Sequence, residues 1–344
     1  MKQLLLISSA AVMLATLTAC NSGFSTSRAS AKPYEIVVVM NKAIWDGNTG
    51  QAIKNELIKP DIYIPQEENA MKITYAMPDQ FNGIMRSYRN VLLVDINDRM
   101  YTKVSLQNEN DTWAKGQAIL KINAPEASMI DSFLVTNPGD INDYFNREEL
   151  KRMKVLLKES YSTLVMEKVR EKFGIAINAP SDIKSCKEGD DCLWFSNDAP
   201  SCRMDLLVYT FPFTDKNTFT LDYLVNQRDS ITKKMIPGSF PNSYMATEKQ
   251  VVDYFASSLH GKYCGILRGW WKMKGDMMGG PFVSYARVDE QNRRVIVTEG
   301  FVYEPEKAKR NYIRRMEAAL QTTLFADEQQ NASDNTLANN TLQQ

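Results

Sequence analysis

Four β-rich runs near the C-terminal end constrain this chain most: QVVDYFASS (250–258), KYCGILRGWWKM (262–273), PFVSYARVD (281–289) and RVIVTEGFVY (294–303). The turns between them, LHGK, KGDMMGG and EQNR, are too short for crossover helices, so the strands should run antiparallel. Upstream, IAINAP, CLWFS and RMDLLVYTFPF read as further strands, and LDYLVNQRDSITKKM as a helix. A last helix is expected from Glu306 to Leu324, after Pro305, with Tyr312, Ile313, Met316 and Leu320 facing one way.

The first half mixes the same elements. YEIVVVM is a strand, Gly47, Asn48 and Gly50 interrupt it, and QAIKNELIK is compatible with a helix. MKITYAM, a short helix around Phe81 to Tyr88, NVLLVDI, and a strand over Lys115 to Asn123 after the polar turn NENDT follow. This order lacks the regular alternation of a doubly wound parallel sheet. Between the halves, Asn146 can cap one long helix ending at Gly174, with Glu148 and Glu149 in its first turn. Its apolar stripe is Leu150, Met153, Leu157, Tyr161, Leu164, Val165, Val169 and Phe173. The chain, 344 residues long, therefore reads as α+β: an N-terminal half (34–145), a connecting helix (146–174) and a C-terminal half (175–325), with largely antiparallel sheets. Residues 326–344 are almost devoid of apolar side chains and are expected to form a disordered tail.

Residues 1–19 are a separate object. Lys2 and the apolar run Leu4 to Ala19 resemble a secretory signal, and Leu17-Thr18-Ala19-Cys20 resembles the cleavage motif of bacterial lipoproteins. That resemblance implies lipidation at Cys20, so that the mature chain is anchored to a membrane by acyl chains and does not cross it. An ordinary secretory peptide with a chance cysteine is the alternative. The Ser- and Ala-rich segment 20–33 reads as a tether. Lys plus Arg and Asp plus Glu are equal at 41 each, which supplies no cationic field for nucleic acid.

Cys186, Cys192, Cys202 and Cys264 remain, an even number in an exported chain, so two disulfides in three connectivities are open. Their spacing is not that of paired zinc ligands, and His260 is the single histidine, placed in a turn. No metal or cofactor is expected. No nucleophile elbow, metalloprotease, phosphate-loop or dinucleotide pattern occurs, so no catalytic residue is assigned.

Three places invite a ligand. WDGNTG, with Trp45 and Gly47, lies between strand and helix, where free N–H groups can hold an anion, or where an Asp-Gly turn simply lets Trp45 cover the core. Arg228 shares a helical stripe with Leu221, Leu224, Val225, Ile231 and Met235, so it must pair, snorkel or meet a ligand, and its neighbour Asp229 points off that face. In RGWWKMKGDMMGGPF, period two buries Trp271 and Met273 and turns Trp270, between Arg268 and Lys272, outward as a basic-aromatic stripe. Gly275-Asp276 and Gly279-Gly280-Pro281 supply the turn.

GWWKMKGDMMGGPFVSYARVD, RVIVTEGFVYEP and EKAKRNYIRR resemble the C-terminal part of a Bacteroidota lipoprotein family described as domain of unknown function 4837. WDGNTG, FNGIMRSYRNVLLVDI and LVNQRDSITKKMIPG resemble it too. The resemblance implies one architecture over most of the mature chain and a place in the cell envelope. It points to Trp45, Gly47, Arg89, Asn90, Arg228, Asp229, Trp271, Gly275, Gly279, Gly280 and Pro281. The expectation is a lipid-anchored, periplasm-facing outer-membrane protein that binds or assembles an envelope protein or glycan without catalysis. An envelope hydrolase acting on peptidoglycan or glycan is the rival.

Overall fold

The computed structural model describes residues 27–61 and 63–331. Cys20, the signal segment and residues 332–344 lie outside them.

In the first half, β1 (Glu35–Val39) carries five residues that are buried almost throughout, as befits an interior strand of a sheet. Short α1 (Lys42–Trp45) and α2 (Asn48–Ile58) lead to β2 (Lys72–Ala76), and α3 (Gly83–Arg86) leads to β3 (Asn90–Ile96). The sheet is completed by β4 (Ser105–Asn110) and β5 (Ala118–Ala124), in the order β2-β1-β3-β5-β4. Its pairings β1–β2, β1–β3 and β3–β5 are parallel, and only edge strand β4 runs antiparallel. This half therefore departs from the expected antiparallel pattern. β4 was hidden in the sequence because an edge strand with mostly solvated side chains shows no apolar alternation.

One face of this sheet is packed by α2, by α4 (Ala127–Thr136), which the sequence reading missed, and by α5 (Asp140–Glu159), through Ile53, Leu57, Ile130, Leu134, Ile141 and Phe145. Residues 28–31, expected in the tether, already bridge to Lys115 and Tyr88.

The expected single connecting helix is two. α5 starts at Asp140, after Gly139 at φ 97°, so Asn146 is no cap and Glu149 lies mid-helix. It stops at Glu159, and α6 (Thr163–Phe173) starts afresh behind Ser162, whose hydroxyl accepts the N–H of Val165 and donates to the carbonyl of Ile183. A serine whose hydroxyl caps the following turn and bonds a carbonyl of another segment competes with helix continuation. The apolar stripe spans the break in sequence, but its parts serve different neighbours: Leu150 and Leu157 pack on the last helix, Val165, Val169 and Phe173 on the second sheet.

That sheet has seven strands: β6 (Ser185–Glu188), β7 (Cys192–Ser196), β8 (Arg203–Pro212), β9 (Tyr244–Leu259), β10 (Lys262–Lys274), β11 (Gly279–Asp289) and β12 (Arg294–Tyr303). Their order is β6-β7-β8-β12-β11-β10-β9, antiparallel at every step. The predicted strand IAINAP makes only isolated bridges. α7 (Leu221–Met235) covers one face, and α6 with α8 (Arg310–Leu320) covers the other. α8 begins four residues later than expected, with Lys309 as its cap. The predicted tail is ordered at its start: residues 326–331 are helical, and buried Glu328 pairs with Arg287, which is itself 2% exposed. The α+β class stands.

Candidate functional site

The halves meet through α5 and α8, and through a strap, residues 59–61 and 63–71, that reaches from the first half onto the second. Tyr63 donates its hydroxyl to Asp253 at 2.8 Å and meets the ring of Phe255 edge-on, while Glu68 accepts the backbone N–H groups of Lys309 and Arg310 where α8 begins. Between strap, α5, α8 and the faces of β9, β10 and β11 lies a cleft of about 640 Å3. A second cavity of about 350 Å3 shares Arg147, Leu150, Ser257, Ile266, Tyr285 and Gln321 with it, so the two form one groove along α5.

The floor is an ionic cluster. Glu317, 2% exposed, is bound by Arg268 and by Arg314 at 2.7 Å, and Arg314 reaches Asp61 of the strap at 2.9 Å. Burial alone would push the Glu317 carboxyl up, but the two guanidiniums outweigh it and hold the carboxyl at about 2. The Tyr285 hydroxyl donates to Glu317 at 3.3 Å and accepts from Gln321 at 3.2 Å, whose carbonyl accepts from Lys154 at 3.1 Å. Burial, then the neighbouring charge of Lys151, pulls the Lys154 pKa down. Arg147 is exposed at the rim and has no ion-pair or hydrogen-bond partner among the described residues. The groove thus offers a locked, charge-balanced floor and a cationic arm of Arg147 and Lys154, beside Lys151 paired with Glu148 at 2.5 Å, with Ser257, Ser258 and Leu259 in the opposite wall.

Of the residues singled out from sequence, Arg268 alone lines this cleft. Trp270 and Lys272 do not form the expected open stripe. Lys272 pairs with Glu248 at 2.6 Å, and the Nε1 atom of half-buried Trp270 is enclosed without a hydrogen-bond partner. Both faces of the seven-stranded sheet carry helices, so alternation around Trp270 separates two layers rather than core from water, although the Lys272 side chain itself stays 44% exposed beside Glu248. Trp271 and Met273 are buried, as the alternation predicts.

Arg228, on the buried face of α7, is fully buried. Its Nε and Nη2 grip Glu299 at 2.8 to 3.0 Å, Nη1 donates to Thr247 at 2.9 Å, and the group stacks on Phe282 at 3.9 Å. Asp229 accepts from the backbone and hydroxyl of Thr247, both at 2.7 Å. This is an inter-element ion pair sealed from ligand. Trp45 stacks on Tyr75 with centroids 4.6 Å apart, under Lys54, and Gly47 caps α2. Gly50 is required because a Cβ there would stand 2.0 Å from the Trp45 carbonyl oxygen. Arg89 and Asn90, named by the resemblance, bind buried Glu149 at 2.8 and 2.7 Å. Gly275 takes φ +80° in the β10–β11 turn, and the exposed Asp276 carboxylate accepts N–H bonds from Ser239 and Met277. Gly279 and Gly280 begin β11, where a Cβ on Gly280 would meet the Val302 carbonyl oxygen at 2.1 Å, and Pro281 sits opposite Trp270.

The disulfides that the even cysteine count left possible are not formed: Cys186, Cys192, Cys202 and Cys264 are all free thiols. Cys186 packs into the core on the α6–α8 face and Cys192 into that under α7, so SCKEGDDC cannot close its loop. Cys264 lies near the start of β10, five strand spacings from β6, or roughly 24 Å at ~4.8 Å per spacing. Cys202 precedes β8, whereas Cys192 pairs with Tyr209 near the far end of that strand. Bridging needs Cα atoms within about 7 Å.

Sequence reasoning missed Glu317, Arg314, Asp61, Arg147 and the strap. A charge on an apolar helical stripe, the signal that exposed Arg228, also marks Glu317 between Ile313 and Leu320, and Glu149 between Phe145 and Leu150. Among the described residues no cluster of three or more His, Cys, Asp or Glu could hold a metal, and no helix is long and apolar enough to cross a membrane.

No curated protein matches the chain. Among solved structures, the lipid transfer and protein localization domain of human StarD13 (DLC2) aligns at 11% identity over 46% of this chain and 95% of that one, with a TM-score of 0.15. Residues 29–158 match the family model "Domain of unknown function (DUF8532)", so WDGNTG and FNGIMRSYRNVLLVDI fall under a different model from the later segments. Residues 162–322, which hold β6 to β12 and all of α6, α7 and α8, match "Domain of unknown function (DUF4837)", the family that the C-terminal segments of the sequence resemble.

Proposed function

We propose that this protein is a lipid-anchored, periplasm-facing component of the bacterial outer membrane that binds an envelope protein or glycan in the groove between its halves, without catalysis. The observation that carries the reading is the groove itself, about 640 Å3 in its main part, built jointly by strap, α5, α8 and sheet. Its floor supports binding over hydrolysis. A glycan hydrolase needs a carboxyl that stays protonated near neutrality, whereas Glu317 is held at about 2 and saturated by two guanidiniums. Unpaired Arg147 and partly desolvated Lys154 favour a ligand with anionic groups.

The test compares capture from envelope fractions by the lipidated, tagged chain and by a Ser257→Trp variant that fills the groove from exposed β9. A partner or glycan retained by the wild type and lost by the variant is the expected result. Equal capture by both overturns the groove. Anchoring is read separately: Cys20→Ala should move the protein from the detergent phase to the aqueous phase.

A further inference from the structure

On the opposite face of the seven-stranded sheet from the groove, a cavity of about 190 Å3 opens beside the β10–β11 turn. Its walls are aromatic and sulfur-rich: Trp194, Met245, Trp271, Met278, Phe301 and Tyr303. Two segments singled out in the sequence converge here, Ile236 to Gly238 from one and Trp271 to Met278 from the other. Their loops are tied together by the Ser239 N–H, which donates to Asp276 at 3.2 Å. From these loops Phe240 is 60% exposed and Met277 wholly exposed, so large apolar side chains stand in water next to an apolar hole.

We infer that this socket takes one large apolar side chain, aromatic by preference, from a partner polypeptide that carries a carboxylate beside it. Size sets the first half of the assignment. A cavity of about 150 Å3 holds a benzene ring, so one of about 190 Å3 holds a ring with its methylene. Thioether and aromatic walls adapt to such a ring and gain from edge contacts with it. The exposed Phe240 and Met277 extend the contact around an inserted anchor, the anatomy of an interface hot spot.

Charge sets the second half. Asp205, 1% exposed, accepts from Trp194 Nε1 at 2.9 Å and from Nε and Nη2 of Arg203 at 3.1 Å, so its oxygens are engaged and its charge is balanced. Nη1 of Arg203 makes no hydrogen bond to the described residues and is left to bind an acceptor at the cavity edge. Lys187, 5.7 Å from the Trp194 ring, is outside the cavity lining and donates to the Met235 carbonyl at 2.7 Å, so Arg203 is the cation at this edge. With the carboxylate of Asp205 already satisfied, the cavity offers few hydrogen bonds to a sugar ring, and this favours an apolar anchor with an adjacent anion.

The test titrates the full chain with N-acetylphenylalanine, its neutral amide, N-acetylalanine and N-acetylglucosamine, following tryptophan fluorescence. N-acetylphenylalanine should give a saturable change; N-acetylalanine should bind about tenfold or more weakly, for want of the buried ring, and the amide several-fold more weakly, for want of the charge. Ser239→Phe, an exposed position that fills the mouth, should abolish the response, while Ser257→Trp in the groove leaves it intact. Should Ser239→Phe not fold, Met278→Trp from the facing wall gives the same reading. The socket assignment is overturned by the absence of saturation, by N-acetylalanine binding equally well, by a response to N-acetylglucosamine alone, or by a response that survives blockage.

Discussion

Two carboxylates of this protein are buried to the same degree and behave in opposite ways. Glu299, under α7, faces the single guanidinium of Arg228 in a sealed core, and burial raises its pKa. Glu317, at the floor of the groove, faces Arg268 and Arg314 together and is held at about 2. Burial penalises both charges; the number of guanidiniums decides which way the balance falls. The sealed pair specifies how α7 sits on the sheet. The cluster at the groove floor ties strap, sheet and α8 together through Asp61, Arg268, Arg314 and Glu317.

The largest effect should come from breaking the sealed pair. Arg228→Met strands Glu299 in the core and should cost about 3–5 kcal/mol by urea unfolding, while Arg228→Met with Glu299→Leu should recover most of it. A single variant no worse than the double would mean that the pair is not sealed.

Next in size is the acid response of the open cluster. Because the folded Glu317 carboxyl lies below its ordinary 4.5, its stabilisation is complete above that value and fades as pH falls toward 2, a change of about 3 kcal/mol. Glu317→Gln should lose that share of the acid dependence, as read from unfolding midpoints between pH 6 and 2. Parallel profiles for variant and wild type would refute the two-guanidinium account. Glu299, shifted upward, contributes with the opposite sign: its share is complete below the ordinary value and lost as pH rises through the folded one.

The smallest change in stability should follow Arg147→Ala, within about 0.5 kcal/mol, since the side chain is exposed and unpaired among the described residues. Its effect belongs in ligand capture. A large loss of stability with capture unchanged would make Arg147 structural.

Much of the fold could be read from local pattern. The meander from β9 to β12, α7 and the central strands β1 and β3 lie where alternation and helical spacing put them. β4 and α4 escaped notice, β4 because its mostly solvated side chains show no apolar alternation. The single connecting helix failed for another reason. Leu157 and Val165 share a stripe in sequence but pack on different neighbours, and only the bonds of Ser162 reveal the break.

The sequence by itself determined the α+β class, the alternation that buries Trp271 and Met273, and the necessity that Arg228 find a partner, because each follows from the period of the backbone and the cost of burying charge. Tertiary structure decided who that partner is, seventy-one residues away at Glu299. It decided too that Trp270 is half-buried, that Lys272 is taken up by Glu248, and that Cys186 and Cys192 face apart. The groove and the socket belong to it as well, since both are made where distant segments are brought together, and no local period encodes that meeting.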